Sequence, residues 1–291
     1  MRSVLEQSYP NIEYLVVDGN STDGSQEIIQ KYADRLAWWI SEPDQGQAEA
    51  INKGFARASG EVIAWLNSDD YYHPGAVAQA VEALRVYPQA SLVFSDVDSV
   101  DGAGERINRM CFGDWGLTDL MSFRIISQPG VFMRREVLEQ VGHLDPTYHY
   151  LLDHHLWLRL GLRAPIQYAR GACWAAARFH RAAKNQAQTA EFGKEGYRIA
   201  AWLQSDPAYR QPYTHLKGKV WGGAHRLNAF YLLDGGQPGE ALRAYGRALF
   251  YDPWVVLSDW RRVLYALFSP VGLDRFRKAY LERRRRRLRG S

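Results

Sequence analysis

Short apolar runs alternate with helix-period stretches between Tyr14 and Ser95, and that alternation leaves few folds open. Tyr14 to Asp18 is an apolar run closed by an acid and then Gly19. Thr22 or Asp23 can cap a helix reaching Tyr32. Ala37 to Ser41 reads as a second strand. Gln47 to Ser59 sets Ile51, Phe55 and Ala58 on one helical face. Glu61 to Asn67 is a third strand running into Ser68-Asp69-Asp70. A helix starting at Pro74 carries Val77, Val81 and Leu84 on one side, and Ser91 to Ser95 is a fourth strand. Strands separated by helices at this spacing predict an α/β fold with a mostly parallel sheet covered by helices.

Beyond Asp96 the pattern is mixed. Strands are predicted at Val131 to Met133 and Ala172 to Phe179, and helices at Arg135 to Val141 and Asp153 to Leu162. From Lys184 onward the chain reads as helical, which places a domain boundary between 183 and 184. Asn228 to Pro253 resembles one tetratricopeptide-like hairpin, with Ala229, Tyr231, Gly236, Ala241, Tyr245, Ala248 and Pro253 at suitable places. At the other end, Arg2 to Pro10 reads as the back half of a helix that a strand follows at once. A doubly wound sheet wants a strand before that helix, so an N-terminal truncation or a start assigned too late is expected.

Composition narrows the class further. A chain of 291 residues with 46% apolar residues can bury a core, and two cysteines, Cys111 and Cys173, make no disulfide framework. No charged-then-apolar stretch opens the sequence and no run of 18 apolar residues occurs in it, so neither secretion nor a transmembrane anchor is expected, and a cytoplasmic setting is. The net charge of +4 is unevenly placed. Nine basic and two acidic residues fall between Asp274 and Ser291, leaving the body at −3. With no basic stripe on the body, nucleic acid is not an expected partner.

Two acidic turns carry the chemistry. Trp65-Leu-Asn-Ser-Asp-Asp-Tyr-Tyr-His-Pro74 puts adjacent acids at the carboxyl edge of a strand, where open α/β sheets bind ligands. Acids crowded there suit Mg²⁺ or Mn²⁺ on a diphosphate; the alternative is a helix-capping turn. Asp18 closes another strand, placed either to accept hydrogen bonds from a base or ribose, or to form an Asx-turn.

Together with Ser41-Glu-Pro-Asp-Gln-Gly-Gln-Ala-Glu-Ala-Ile-Asn-Lys-Gly54, Ala58-Ser-Gly-Glu-Val-Ile-Ala-Trp-Leu-Asn-Ser-Asp-Asp70, Ile126-Ser-Gln-Pro-Gly-Val-Phe132 and Asp153-His-His-Leu-Trp-Leu-Arg159, these motifs resemble a family 2 glycosyltransferase with the GT-A fold. The likeness runs from Met1 to about His180. It implies a nucleotide-sugar donor, a glycan or lipid-linked acceptor, and a divalent cation. Asp18 matches the acid that recognises base or ribose, and Asp44, Gly46, Asn52 and Lys53 fall in a donor-holding segment. Asp69 matches the metal-binding acid of the family's DxD motif, whose first acid is Asn67 here. Asp70 supports the site or caps the next helix, Gln128 contacts the acceptor, and His180 falls near the diphosphate or metal. Asp153 matches the catalytic base, with Leu152 where the family commonly has Glu.

The implied reaction is a direct, inverting displacement. A carboxylate removes the acceptor proton, and a cation offsets charge on the departing nucleoside diphosphate. Polysaccharide or cell-envelope glycan synthesis is the implied setting. Two rivals stand beside it: a catalytically silent nucleotide-sugar-binding or scaffold protein, and a metal-dependent phosphoesterase suggested by Asp153-His154-His155. Trp254 to Leu273, followed by consecutive arginines Arg283 to Arg287, suggests contact with an anionic membrane surface, against the plainer reading of an amphipathic helix with a solvated tail.

Overall fold

The computed structural model describes residues 1–179 and 189–268 of the chain. It divides into two compact units. One comprises Met1–Ser99, Arg109–Gly116 and Ile126–Arg178; the other comprises Val100–Asn108, Leu117–Ile125 and Phe179–Ser291.

The first unit opens with α1 (Arg2–Leu5), β1 (Leu15–Asp18), α2 (Ser25–Gln30), β2 (Trp38–Ser41) and α3 (Gln47–Arg57). Next come β3 (Val62–Ile63), β4 (Tyr71–Tyr72), α4 (Ala76–Val86) and β5 (Leu92–Val100), whose last residue falls in the second unit. Strand β6 (Arg106–Met110) pairs with β5. Beyond α5 (Leu117–Met121), which belongs to the second unit, come β7 (Val131–Arg134), α6 (Arg135–Val141), α7 (Leu152–Arg163) and β8 (Ile166–Arg178).

Strands β1 and β2 pair in parallel, Leu15 opposite Trp38 through Asp18 opposite Ser41. The larger sheet has the order β3-β7-β5-β8-β4. Here the expectation of mostly parallel pairing needs correction: β7 is antiparallel to both β3 and β5, and β8 is antiparallel to β4. Both neighbours of β7 therefore run the same way, as the helical crossovers require, but a reversed strand sits between them. Single-chain periodicity reports strand direction through the crossover and carries no information on which strand is later inserted.

Helix α4 covers the sheet with Ala76, Ala80 and Leu84; of the predicted face, Leu84 is buried and Val77 packs half-buried against the same core. It starts two residues after Pro74, behind Gly75 at φ +77°. The small alanines let the helix approach Phe132 and Trp174, whose rings meet edge to face at 5.6 Å. Helix α1 is too short to persist alone. Val4 anchors it in this core, Gln7 donates to the His73 carbonyl at 2.9 Å, and the Ser3 hydroxyl accepts from Tyr72 N–H.

The second unit holds α8 (Thr189–Ser205), α9 (Arg210–Asp234), α10 (Pro238–Tyr251), α11 (Pro253–Leu257) and α12 (Trp260–Phe268). The hairpin expected from 228 to 253 is α9-α10, with Ala229, Ala241, Tyr245 and Ala248 buried between its helices. Gly236 at φ +76° ends α9: its N–H reaches Leu233 O and the Gln237 N–H reaches Leu232 O. That is a Schellman stop, and Pro238 starts the next helix.

Gly223 in α9 touches α5: a Cβ there would lie 2.2 Å from the Ser122 carbonyl oxygen. Gly223→Ala gains about 1 kcal/mol of helix propensity but meets an immovable backbone atom, at an overpacking cost of about 1–3 kcal/mol. We expect a net loss of up to about 2 kcal/mol in urea unfolding. Gly246→Ala, with open space around the same position on α10, is expected to stabilise; equal effects at both positions would refute the clash.

Candidate functional site

Of the acids singled out in the sequence, Asp18 closes β1 and Asp153 opens α7, whereas the strand expected from Glu61 to Asn67 is only Val62–Ile63, so Asp69 and Asp70 stand directly before β4 instead of at the end of β3. Asp18, buried at the end of β1, accepts from Ser21 N–H at 3.0 Å, Ser21 Oγ at 2.5 Å and Ser41 Oγ at 2.6 Å. Burial pushes its carboxyl up, but the Ser21 and Ser41 hydrogen bonds outweigh that and hold it below the usual carboxylate range. The stabilisation this provides is present above the ordinary carboxylate pKa and is lost as pH falls through the depressed value. So the Asx-type turn and a fixed, ionised carboxylate are one arrangement.

Asp44 is brought to the same place. A Cβ on Gly19 would sit 2.6 Å from Asp44 Oδ2, so only glycine lets this carboxylate lie against the β1 turn. Asp44 Oδ1 accepts from Gly46 N–H at 2.9 Å, just before α3. Lys53 is held by Glu42 at 2.8 Å and Glu49 at 3.1 Å, and these bonds raise its pKa. Asn52 faces elsewhere: its carboxamide makes paired hydrogen bonds with the Leu144 backbone, donating at 2.8 Å and accepting at 2.9 Å.

The acidic turn after β3 is tightly built. Asp70 N–H donates to the Asn67 carbonyl at 3.1 Å. Arg178 in β8 clamps the turn, its N–H donating to Asp70 Oδ1 at 3.0 Å and its Nε to the Asp69 carbonyl at 3.1 Å. Burial pushes the Asp70 carboxyl up to about 6 against that Arg178 bond, and the Asp69 charge adds to the rise. Asn67, where the family motif has an acid, accepts from Gln47 Nε2 at 2.7 Å. Its amide faces Gln128 Oε1 at 3.4 Å, and Gln128 Nε2 donates to the Trp65 carbonyl at 2.7 Å. Gln128 is thus a strut beneath this turn. An acid at 67 would face the Gln128 oxygen, so the network suits the uncharged residue.

Trp65 joins these parts to α7. Its ring meets Phe55 of α3 at 5.6 Å and stacks on Trp157 at 5.2 Å. Trp157 lies one helical turn beyond Asp153, on the same face of α7. Asp153 is partly buried in the first turn, where the helix dipole stabilises negative charge, and its Oδ1 accepts from His154 N–H at 2.7 Å. Arg159 donates to the carbonyls of Val141, Gly142 and His143 at 2.8, 3.2 and 2.6 Å. With Asn52, it locks the segment leading into α7. His154 and His155 are buried in that helix, His155 stacked on Tyr148 at 4.4 Å, as packing residues are. His180 lies outside the described residues, as does the basic tail.

The donor set at the turn fits a divalent cation of the hard class: an oxygen donor from Asp69, with a second carboxylate beside it. A different group, His73, Asp98 and Cys173, brings nitrogen, oxygen and sulfur donors within 4.8 Å of one another. There Arg109 already engages both Asp98 oxygens, at 2.8 and 3.1 Å. Burial and Asp98 push the Cys173 thiol up to about 11, which disfavours the thiolate that a metal needs.

Neither Trp65, Gln47 nor Arg178 was singled out as a site residue. Trp65 and Gln47 lie inside the quoted motifs, but their roles depend on partners distant in sequence.

Residues 1–142 match the family model described as glycosyl transferase family 2. An uncharacterized glycosyltransferase of Nostoc sp. is 33% identical over 159 residues, covering 50% of this chain and 49% of that protein. The O-antigen biosynthesis protein RfbC of Myxococcus xanthus is 30% identical over 164 residues, covering 55% of this chain and 13% of that protein. The chain thus spans half or less of the length of these relatives. Among solved structures, the mannosyltransferase PcManGT of Pyrobaculum calidifontis, in complex with GDP-Man and Mn²⁺, superposes with a TM-score of 0.58. That match has 18% identity and covers 93% of this chain and 81% of the other. At such identity the likeness bears on fold alone, and the fold is of the GT-A type.

Proposed function

We propose that this chain, whose residues 1–142 match the glycosyl transferase family 2 model, moves a hexosyl unit from a nucleoside-diphosphate sugar to a glycan or lipid-linked acceptor, with inversion. The setting we propose is cytoplasmic synthesis of cell-envelope polysaccharide, in line with the O-antigen relative. Transfer is assigned to residues 1–183, and an accessory role to the helices of 184–291.

One observation carries this reading: Asp18 closes β1 with Asp44 beside its turn, the Asp69-Asp70 turn leads into β4, and Trp65, four residues before Asp69, stacks on the α7 face that bears Asp153. Asp18 and Asp44 hold the nucleoside, with Gly46 allowing the approach to α3 and Lys53 adding a positive charge at the rim. Asp69 would hold a divalent cation, with Asp70 in support and His180 as a further ligand; such a cation offsets charge on the departing diphosphate. Gln128 and Asn52 keep the acceptor side in shape. Asp153 takes the acceptor hydroxyl proton as that oxygen attacks the anomeric carbon, and the glycosyl–phosphate bond breaks without a covalent enzyme intermediate.

Titration calorimetry with UDP-, GDP- and dTDP-sugars, with and without Mn²⁺, tests the donor site. Wild-type chain should bind one nucleotide class more tightly with Mn²⁺, and Asp69→Ala should lose that increment. A folded variant that keeps the Mn²⁺ increment refutes the role of Asp69. A second reading has one observation in its favour: Asn67 is committed to Gln47 and Gln128, leaving the turn one charge short of the family motif. A donor-binding protein without transfer would bind the same sugar nucleotide and leave every acceptor unglycosylated.

A further inference from the structure

Nine of the eleven large apolar side chains exposed among the described residues fall between Leu249 and Phe268. Soluble surfaces scatter such residues singly; a concentration of this kind marks a surface that something covers. In α12 they follow one face: Trp260, Leu264, Leu267 and Phe268 stand at i, i+4, i+7 and i+8, all between 42% and 52% exposed. The other side of the same helix is already used, with Ala266 buried and Val263 and Tyr265 packed against the α9-α10 hairpin. Phe250 and Trp254, 85% and 78% exposed, continue the apolar stretch upstream. α12 therefore has two apolar faces, of which only one is needed to hold the fold.

We propose that the outer face of α12 lies on an anionic lipid surface, with Trp260, Leu264, Leu267 and Phe268 entering the headgroup region. The chemistry on each side of Phe268 is what selects this occupant. Residues 274–291 carry a net charge of +7, including the consecutive Arg283 to Arg287, and begin within six residues of the helix end. A basic cluster next to an aromatic-rich amphipathic helix combines the two attractions that hold a protein at an anionic bilayer, and neither alone suffices. A second copy of the chain would carry the same +7 charge in its sequence and so lacks the acidic complement that an anionic lipid surface offers. No helix among the described residues is long and apolar enough to cross a membrane, so the contact proposed is interfacial.

Vesicle flotation of the full chain tests this without donor or acceptor, so its failure is distinct from failure of the transfer reading. Equimolar phosphatidylglycerol and phosphatidylcholine vesicles should carry the protein, and pure phosphatidylcholine vesicles should carry much less. Trp260→Glu combined with Leu264→Glu should lower partition about tenfold or more; both positions are exposed, and circular dichroism checks that the helices persist. Replacing Arg283 to Arg287 with Gln should remove the preference for the anionic vesicles and its sensitivity to salt. Equal partition on both vesicle types, unchanged partition of the double variant, or a wild-type chain that floats with neither overturns the proposal. So does a dimer in sedimentation equilibrium that the double variant dissociates, if no vesicle binding accompanies it.

Discussion

Asp153→Asn is expected to lower the rate of transfer by about 10²–10⁴-fold, the range that a positioned general base contributes, with donor affinity unchanged. The replacement is nearly isosteric. Asn keeps an oxygen at the position that accepts the His154 N–H at 2.7 Å, so the start of α7 should hold. What it removes is the capacity to accept a proton from an incoming hydroxyl. Asp153 belongs to a helix located by Trp157 on Trp65 and by Arg159 on the Val141 carbonyl, and Asn leaves both contacts in place, so the donor half should be untouched. Calorimetric affinity for the donor and single-turnover transfer are therefore read on one preparation. Normal turnover would remove Asp153 from the reaction; a parallel loss of donor affinity would assign it to binding instead.

Trp157→Ala carries the largest expected effect on stability, a loss of about 3–5 kcal/mol. The side chain is 0% exposed, and its indole stacks on Trp65, which in turn meets Phe55 of α3. Truncation would leave a cavity that neither α7 nor the segment after β3 can collapse into, since Arg159 pins one and the Gln128–Trp65 bond pins the other. Trp157→Phe, which keeps an aromatic ring in the space, should cost less than half as much. Urea unfolding followed by circular dichroism reads both. A loss below about 1 kcal/mol for the alanine variant would show that the Trp65–Trp157 stack does not hold the site together.

The network around Trp65 also explains which parts of the site could be read in advance. Asp18, Asp44, Asp69 and Asp153 declare themselves because a strand-closing or helix-opening acid in an ordered set of motifs is a local signal. Asn52 and Gln128 belong to those same motifs, yet each directs its carboxamide at backbone, Leu144 in one case and Trp65 in the other. A polar residue placed to hold a loop and one placed to hold a ligand leave the same mark in a sequence, because both need a hydrogen-bonding group at a fixed spot. Arg159 illustrates the point from the opposite side: it closes the Asp153 motif, and its guanidinium gathers three carbonyls of the preceding loop.

From the sequence by itself came the elements whose causes are local: the β1 and β2 runs, the start of α3 at Gln47, helix α6 from Arg135 to Val141, and the α9-α10 turn stopped by Gly236. Periodicity, capping chemistry and glycine's access to positive φ act over a few residues, and a reader of the chain meets them in full. Tertiary structure decided the insertion of β7 between β3 and β5, the burial of Ala76 and Ala80 beside Leu84 on α4, and the gathering of α3 and α7 around Trp65. Each of these depends on which distant surfaces bury one another best. That choice is made among side chains dozens of residues apart, by packing and hydrogen-bond satisfaction that no local window contains.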